Sequence, residues 1–118
     1  VGNEGPRGAP QFPAAYDKVV GVTAVDESAR VYLYANHGDY VDFAAPGVNL
    51  EVADHKGLID KVSGTSYAAP FVAARLAVLI DVPNVRDADA AVEALAARAR
   101  DLGAPGRDPV YGHGLIAD

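Results

Sequence analysis

An α/β fold with a partly parallel sheet is what this sequence of 118 residues predicts. Three observations carry that expectation. Short β-branched runs separated by Gly and Pro turns fill the first half of the chain. A single helix-length stretch, apolar on all sides, follows them. A second, amphipathic helical stretch then leads into a turn-rich tail. Strands followed by a buried helix place the chain among layered α/β folds, where part of the sheet runs parallel.

The first 16 residues are rich in Gly and Pro, lack an apolar period and read as loop. Residues Lys18 to Val25 form a β-branched run expected to be a buried strand. Val31 to Ala35 and Tyr40 to Ala44 are expected as two further strands, split by the turn Asn36-His37-Gly38-Asp39. Pro46-Gly47 makes another turn, and Val48 to Val52 reads as a weak edge strand. His55-Lys56-Gly57 is expected to be a hairpin tip from which Leu58 to Ser63 returns. Ser66 to Ile80 is almost wholly apolar or Ala, which predicts a helix covered on every side. Pro70 is expected in its first turn, where a missing N–H costs little, and Pro83 is expected to end it. Asp87 to Leu102 predicts the second helix, capped by Asp87 or Asp89 and stopped by Gly103. Its inward stripe is Val92, Leu95, Ala96, Ala99 and Leu102. The tail is turns plus the short apolar piece Leu115-Ile116, and nothing in the chain reads as a linker between domains.

Composition narrows the function. A formal charge of −6 argues against a nucleic-acid partner, because phosphate neutralisation needs clustered Lys and Arg. No apolar run reaches the roughly 18 residues that a membrane span requires, and no signal peptide or targeting motif is seen. Zero Cys excludes disulfides and thiolate metal sites. Zero Met leaves Val1 expected to be internal to a longer product.

Gly64-Thr65-Ser66-Tyr67-Ala68-Ala69-Pro70 carries the strongest chemical signal. It puts a Ser hydroxyl at the first turn of an apolar helix, after small residues that let a substrate backbone approach. Unpaired N–H groups and the positive dipole end at such a terminus stabilise a developing oxyanion. A Ser at a helix start is otherwise a common cap. The whole heptapeptide resembles the nucleophile motif of the subtilisin family of serine proteases, the subtilases. Five further blocks agree in order: Gly2-Asn3-Glu4-Gly5, Phe12-Pro13 with the strand Val19 to Asp26 behind it, Tyr34 to Gly38, Val41 to Gly47, and Tyr111 to Ile116.

The resemblance implies the C-terminal half of a subtilisin-like three-layer fold, spanning residues 1–118 of one catalytic domain. It implies Ser66 as nucleophile and the Asn3 side chain as oxyanion donor. Gly2, Glu4, Gln11, Gly64 and Thr65 would contact substrate, with Glu4 at the rim and Gln11 at the floor of a specificity pocket that Gln11 is expected to shorten. The Phe12–Pro13 bond is expected to be cis. In this family the triad runs Asp, His, Ser along the chain, and the motifs that hold the first two are absent here. His37 and His55 fall in turns and His113 between glycines, none placed to act as base, while Asp42 and Asp26 read as hydrogen-bonding residues. Arg75, inside the apolar helix, is expected to snorkel to the surface.

The resemblance therefore implies an endopeptidase that acts on polypeptides only once joined to an N-terminal half carrying Asp and His, the fragment alone being inactive and prone to self-association. The alternative is a non-catalytic subtilase-derived module that binds peptides or a partner. It implies a bacterial protein, secreted or in the cell envelope, and no cofactor. Structural calcium occurs in the family, but no complete ligand pattern is legible in these residues.

Overall fold

The computed structural model describes residues 1–80 and 85–116. Four short strands and two helices follow in the order β1 (Val22–Val25), β2 (Phe43–Pro46), β3 (Leu50–Ala53), β4 (Ile59–Val62), α1 (Thr65–Leu79) and α2 (Val85–Ala96). β1 and β2 pair in parallel, with Val22 opposite Phe43 and Val25 opposite Pro46. The tail adds a third lane beside β2: the Ala44 N–H donates to Gly114 O, and the Ile116 N–H donates to Ala44 O.

Side chains on this small sheet alternate as pleating requires. Val22 and Ala24 of β1 and Phe43 and Ala45 of β2 point to one face, where Ala68 and Val72 of α1, Leu95 of α2 and Ile116 close the main core. Val25, Ala44 and Leu115 point to the other face and meet Ala29, Leu102 and Tyr111. Burial on both faces explains why these strands read as continuous apolar runs, as parallel strands do. The chain is therefore α/β with a partly parallel sheet, as its sequence predicts.

β3 and β4 form the expected antiparallel hairpin, with Leu50 opposite Val62. Asp54 Oδ1 accepts from the Lys56 and Leu58 N–H groups and Gly57 takes φ 78°, so the tip is set by an Asp turn and a glycine.

Four expectations need correction. The strand expected at Val31 to Ala35 is a bridge at Val31 followed by turns, because the Tyr32 N–H is drawn to Ala24 O and the Ala35 N–H closes back on Tyr32 O. Pro70 sits sixth in α1, in the second turn, where its missing N–H leaves Ser66 O without the usual helical donor. α1 is covered on one side only. Thr65, Ala68 and Val72 are buried, while Tyr67, Phe71 and Val78 are exposed, since β1, β2 and α2 all pack on the same side. Finally, α2 runs from Val85 to Ala96, so Asp87 and Asp89 lie within it and not at its cap. Its stripe nevertheless holds beyond the helix: Ala99 packs on the main core and Leu102 on the second. Pro83 and the side chain of Asp87 lie outside the described residues. Arg75 is exposed, as expected of a snorkelling side chain.

Candidate active site

The start of α1 is held from three directions. From below, the Gly64 N–H donates to Gly47 O at 2.8 Å. Gly47 can come that close because it has no side chain: a Cβ there would lie 2.6 Å from Ala24 Cβ and 2.9 Å from Gly64 O. Gly64 itself is the helix cap at φ 157° and ψ 156°, a region open in practice only to glycine. A Cβ at Gly64 would meet nothing nearer than 3.6 Å, so its conformation is what demands glycine. From the front, the first segment of the chain crosses the helix end. The Thr65 N–H donates to Asn3 Oδ1 at 3.0 Å, and the Gly2 N–H donates to Thr65 Oγ1 at 3.3 Å. From the side, the Val1 nitrogen donates to Val22 O at 3.1 Å, and the Tyr40 hydroxyl donates to Val1 O at 2.9 Å.

This scaffold leaves Ser66 free. It is the second residue of the helix, its side chain is exposed, and the helix has no side-chain cap, so the hydroxyl is not a capping group. Among the described residues, neither the Ser66 hydroxyl nor its N–H has a hydrogen-bond partner. The bond from Thr65 fixes which way the Asn3 amide points: Oδ1 is engaged, so the NH2 is the arm left over. Asn3, Thr65 and Ser66 line one open cleft of about 460 Å³ together with Gln11, Phe12 and Ala69. An anion placed there would meet an amide NH2 and a helix-start N–H, the donor types that suit an oxyanion.

The other expected site residues divide. Gly2 and Gln11 line the cleft. Glu4 stands beside it, its Oε2 accepting from Gln11 Nε2 at 3.1 Å. Gly64 shapes the helix start without lining the cleft. The Phe12–Pro13 bond is cis, and Phe12 is exposed with its ring 4.6 Å from that of Tyr16. No histidine lines the cleft. His55 is exposed on the hairpin tip, and His113 packs against Phe43 with ring centroids 5.7 Å apart. His37 departs from the solvated turn expected of it: it is half-buried, with Nε2 shielded and without a partner among the described residues. The described residues gather no group of three or more His, Cys, Asp or Glu that could hold a metal ion.

Two structural residues support the site from outside. Asp42, expected to form hydrogen bonds, accepts from the Gly21 N–H at 2.8 Å and pairs with Arg107 at 3.1 Å. Asn36 is fully buried beneath the loop that carries Asn3. Sequence reasoning places Asn36 in a turn and gives it no part in the site. The block Tyr34 to Gly38 marks the turn that holds it, but the partners of its buried amide, Glu4 and Ala9, lie far off in the chain.

Comparison with known proteins is consistent along nearly the whole chain. The family model described as "Subtilase family" matches residues 1–114. The chain is similar to the minor extracellular protease Epr of Bacillus subtilis, at 36% identity over 115 residues, 98% of this chain and 18% of that protein. It is similar to halolysin of Haloferax mediterranei, at 37% identity over 90 residues, 75% of this chain and 17% of that protein. Among solved structures, a lanthipeptide protease superposes with a TM-score of 0.78 at 28% identity, covering 89% of this chain and 40% of that one. MycP1 from Mycobacterium smegmatis superposes with a TM-score of 0.72 at 27% identity, covering 89% and 30%. The chain thus spans less than a fifth of these two curated relatives and less than half of either solved structure.

Proposed function

The chain belongs to the subtilase family, and from that premise we propose that it is the C-terminal part of a serine endopeptidase catalytic domain, supplying the nucleophile Ser66 and the oxyanion donor Asn3. The observation that carries this reading is the free Ser66 hydroxyl at the second position of α1, in one cleft with an Asn3 amide whose oxygen is already tied to Thr65. Ser66 Oγ attacks the scissile carbonyl of a polypeptide while a base removes its proton, and an acyl-enzyme forms as the amine leaves. The Asn3 NH2 and the Ser66 N–H stabilise the tetrahedral oxyanion between them. Gln11 and Glu4 shape the pocket that receives the side chain before the scissile bond. The chemistry calls on no cofactor.

The base comes from outside this chain. No histidine here lines the cleft, and a serine hydroxyl without a positioned base is a weak nucleophile at neutral pH. An N-terminal segment bearing the Asp and His of the triad is therefore the partner that completes the site. The extracellular protease named among the relatives supports a secreted or cell-envelope location.

Active-site labelling tests the reading. The purified chain is treated with a fluorophosphonate probe, alone and after addition of a subtilase N-terminal segment that carries the Asp and His. Labelling of Ser66 is expected only in the mixture, and it is expected to vanish with Ser66→Ala. Rapid labelling of the isolated chain would remove the need for an external base. A mixture that binds the segment but never labels would favour a non-catalytic, partner-binding module.

A further inference from the structure

We infer that Asn36 is the positioning residue of this cleft: from a hollow kept open by Gly2 and Gly8, its side chain fixes the loop that aims the Asn3 amide at the start of α1. The inference rests on the assignment of Asn3 and Ser66 made above, and it concerns a residue that touches neither substrate nor nucleophile.

The geometry is that of a peg in a wrapped loop. Asn36 is completely buried. Its Oδ1 accepts from the Glu4 N–H at 2.7 Å and its Nδ2 donates to Ala9 O at 2.9 Å, so the two arms of one amide hold both ends of the segment from Glu4 to Ala9. Its own N–H donates to Gly2 O at 3.1 Å. Asn3 is therefore bracketed, with the residues before and after it both bonded to Asn36. Among the described residues only Thr65 holds the Asn3 side chain itself, through a single bond that Asn3 Oδ1 accepts.

Two glycines make room for the peg. A Cβ at Gly2 would lie 2.9 Å from Asn36 Nδ2, and one at Gly8 would lie 2.7 Å from both Nδ2 and Oδ1. Those distances are too short for any side chain, so the loop closes over Asn36 only because both positions are bare. The chemistry also selects asparagine. The site needs one acceptor and one donor about an amide's width apart, pointing opposite ways. Aspartate lacks the donor, and serine lacks the reach. Removing the Asn36 amide would leave the Glu4 N–H and Ala9 O without that partner, and a partly shielded polar group left unpaired costs more than the bond contributes when made.

A merely structural asparagine would stabilise the chain without touching catalysis in particular. A positioning one acts through Asn3, and a double-mutant cycle separates the two. In the chain complemented with the Asp- and His-bearing segment, Asn3→Ala is expected to lower kcat by about 10²–10³, the range for loss of one oxyanion donor and a figure obtained on a member of this family. Asn36→Ala is expected to lower kcat at least tenfold with little change in KM, and to lower it no further in the Asn3→Ala background. Equal losses in both backgrounds, or none, would overturn the inference while leaving Asn3 in its role. An Asn3→Ala variant of unchanged kcat would instead overturn the oxyanion assignment.

Hydrogen exchange on the chain alone supplies a readout independent of activity. Asn36→Ala is expected to raise the exchange rates of the Glu4 and Thr65 amides at least tenfold while those of Thr23 and Ala44 stay unchanged. If Asn36→Ala does not fold, Gly8→Ala presses on the same contact from the loop side and leaves every core side chain in place, and it is expected to give the same pattern. Unaltered exchange at Glu4 and Thr65 in a folded variant would refute the inference.

Discussion

At Gly64 the requirement for glycine is conformational, whereas at Gly47 it is spatial, and substitution should separate them. Gly64→Ala is expected to cost about 1–3 kcal/mol, the usual range for a non-glycine residue held in a forbidden backbone region. Urea denaturation of the folded chain would measure it. Asp26 yields a second expectation. Its carboxylate accepts from the N–H groups of Ser28 and Arg30 and pairs with the Arg30 guanidinium at 2.8 Å. The Arg30 backbone N–H, ahead of its side chain, holds the carboxyl below its ordinary pKa. A depressed carboxyl stabilises the fold above its unfolded pKa and loses that contribution as pH falls through the folded one. The Tm of the wild type should therefore exceed that of Asp26→Asn at neutral pH, and the gap should close on acidification below about pH 4. At this scale Ser66, Asn3 and Asp42 were legible because short motifs surround them. Asn36 also stands in such a block, Tyr34 to Gly38, but its role was not legible, since its partners Glu4 and Ala9 stand 32 and 27 residues away in the chain.

Among the elements, α1 is the most informative, because its two sides make opposite predictions. Val72 is buried against the sheet and Val78 is 82% exposed. Val72→Ala is expected to cost about 2 kcal/mol, two methyl groups' worth of burial plus part of a cavity, and Val78→Ala less than about 0.5 kcal/mol. Chemical denaturation of both variants checks the contrast. A comparable loss at Val78 would mean that its side is covered in solution. The hairpin of β3 and β4 could be read from sequence because its turn chemistry is local. The run Val31 to Ala35 could not. Its β-branched and aromatic residues favour a strand, but Tyr32 is bonded to Ala24 and the chain must turn at once to bring Asn36 under the loop. Tertiary demand overrides local preference there.

For the molecule as a whole, exposed apolar surface sets the expected behaviour. Phe12, Tyr16, Leu33, Tyr34, Phe71 and Val78 are all at least two-fifths exposed in a chain of net charge −6. Exposed apolar side chains of that size drive association, and the charge opposes it. Sedimentation velocity of the isolated chain should show a mass that rises with concentration and with salt. A strictly monomeric chain across that range would show that the charge prevails. The layered α/β arrangement was legible because it follows from the order of strand and helix patterns. The one-sided cover of α1 was not, because a sequence records what a helix can bury and says nothing of how much of its cover one stretch of chain supplies.

The lane that residues 114–116 add beside β2 also has a meaning in time. β2 lies between β1 and that tail, and the Ala44 N–H and C=O both bond to the tail. A ribosome makes the chain from one end, so one edge of β2 stays unpaired from the moment Phe43 emerges until Ile116 has followed. At about 5–20 residues per second that interval lasts several seconds. Throughout it the nascent chain carries an open strand edge, and the second core, which needs Leu115, cannot close. The sheet that supports the cleft is thus completed only near the end of this stretch of translation, and the cleft is a late product of synthesis.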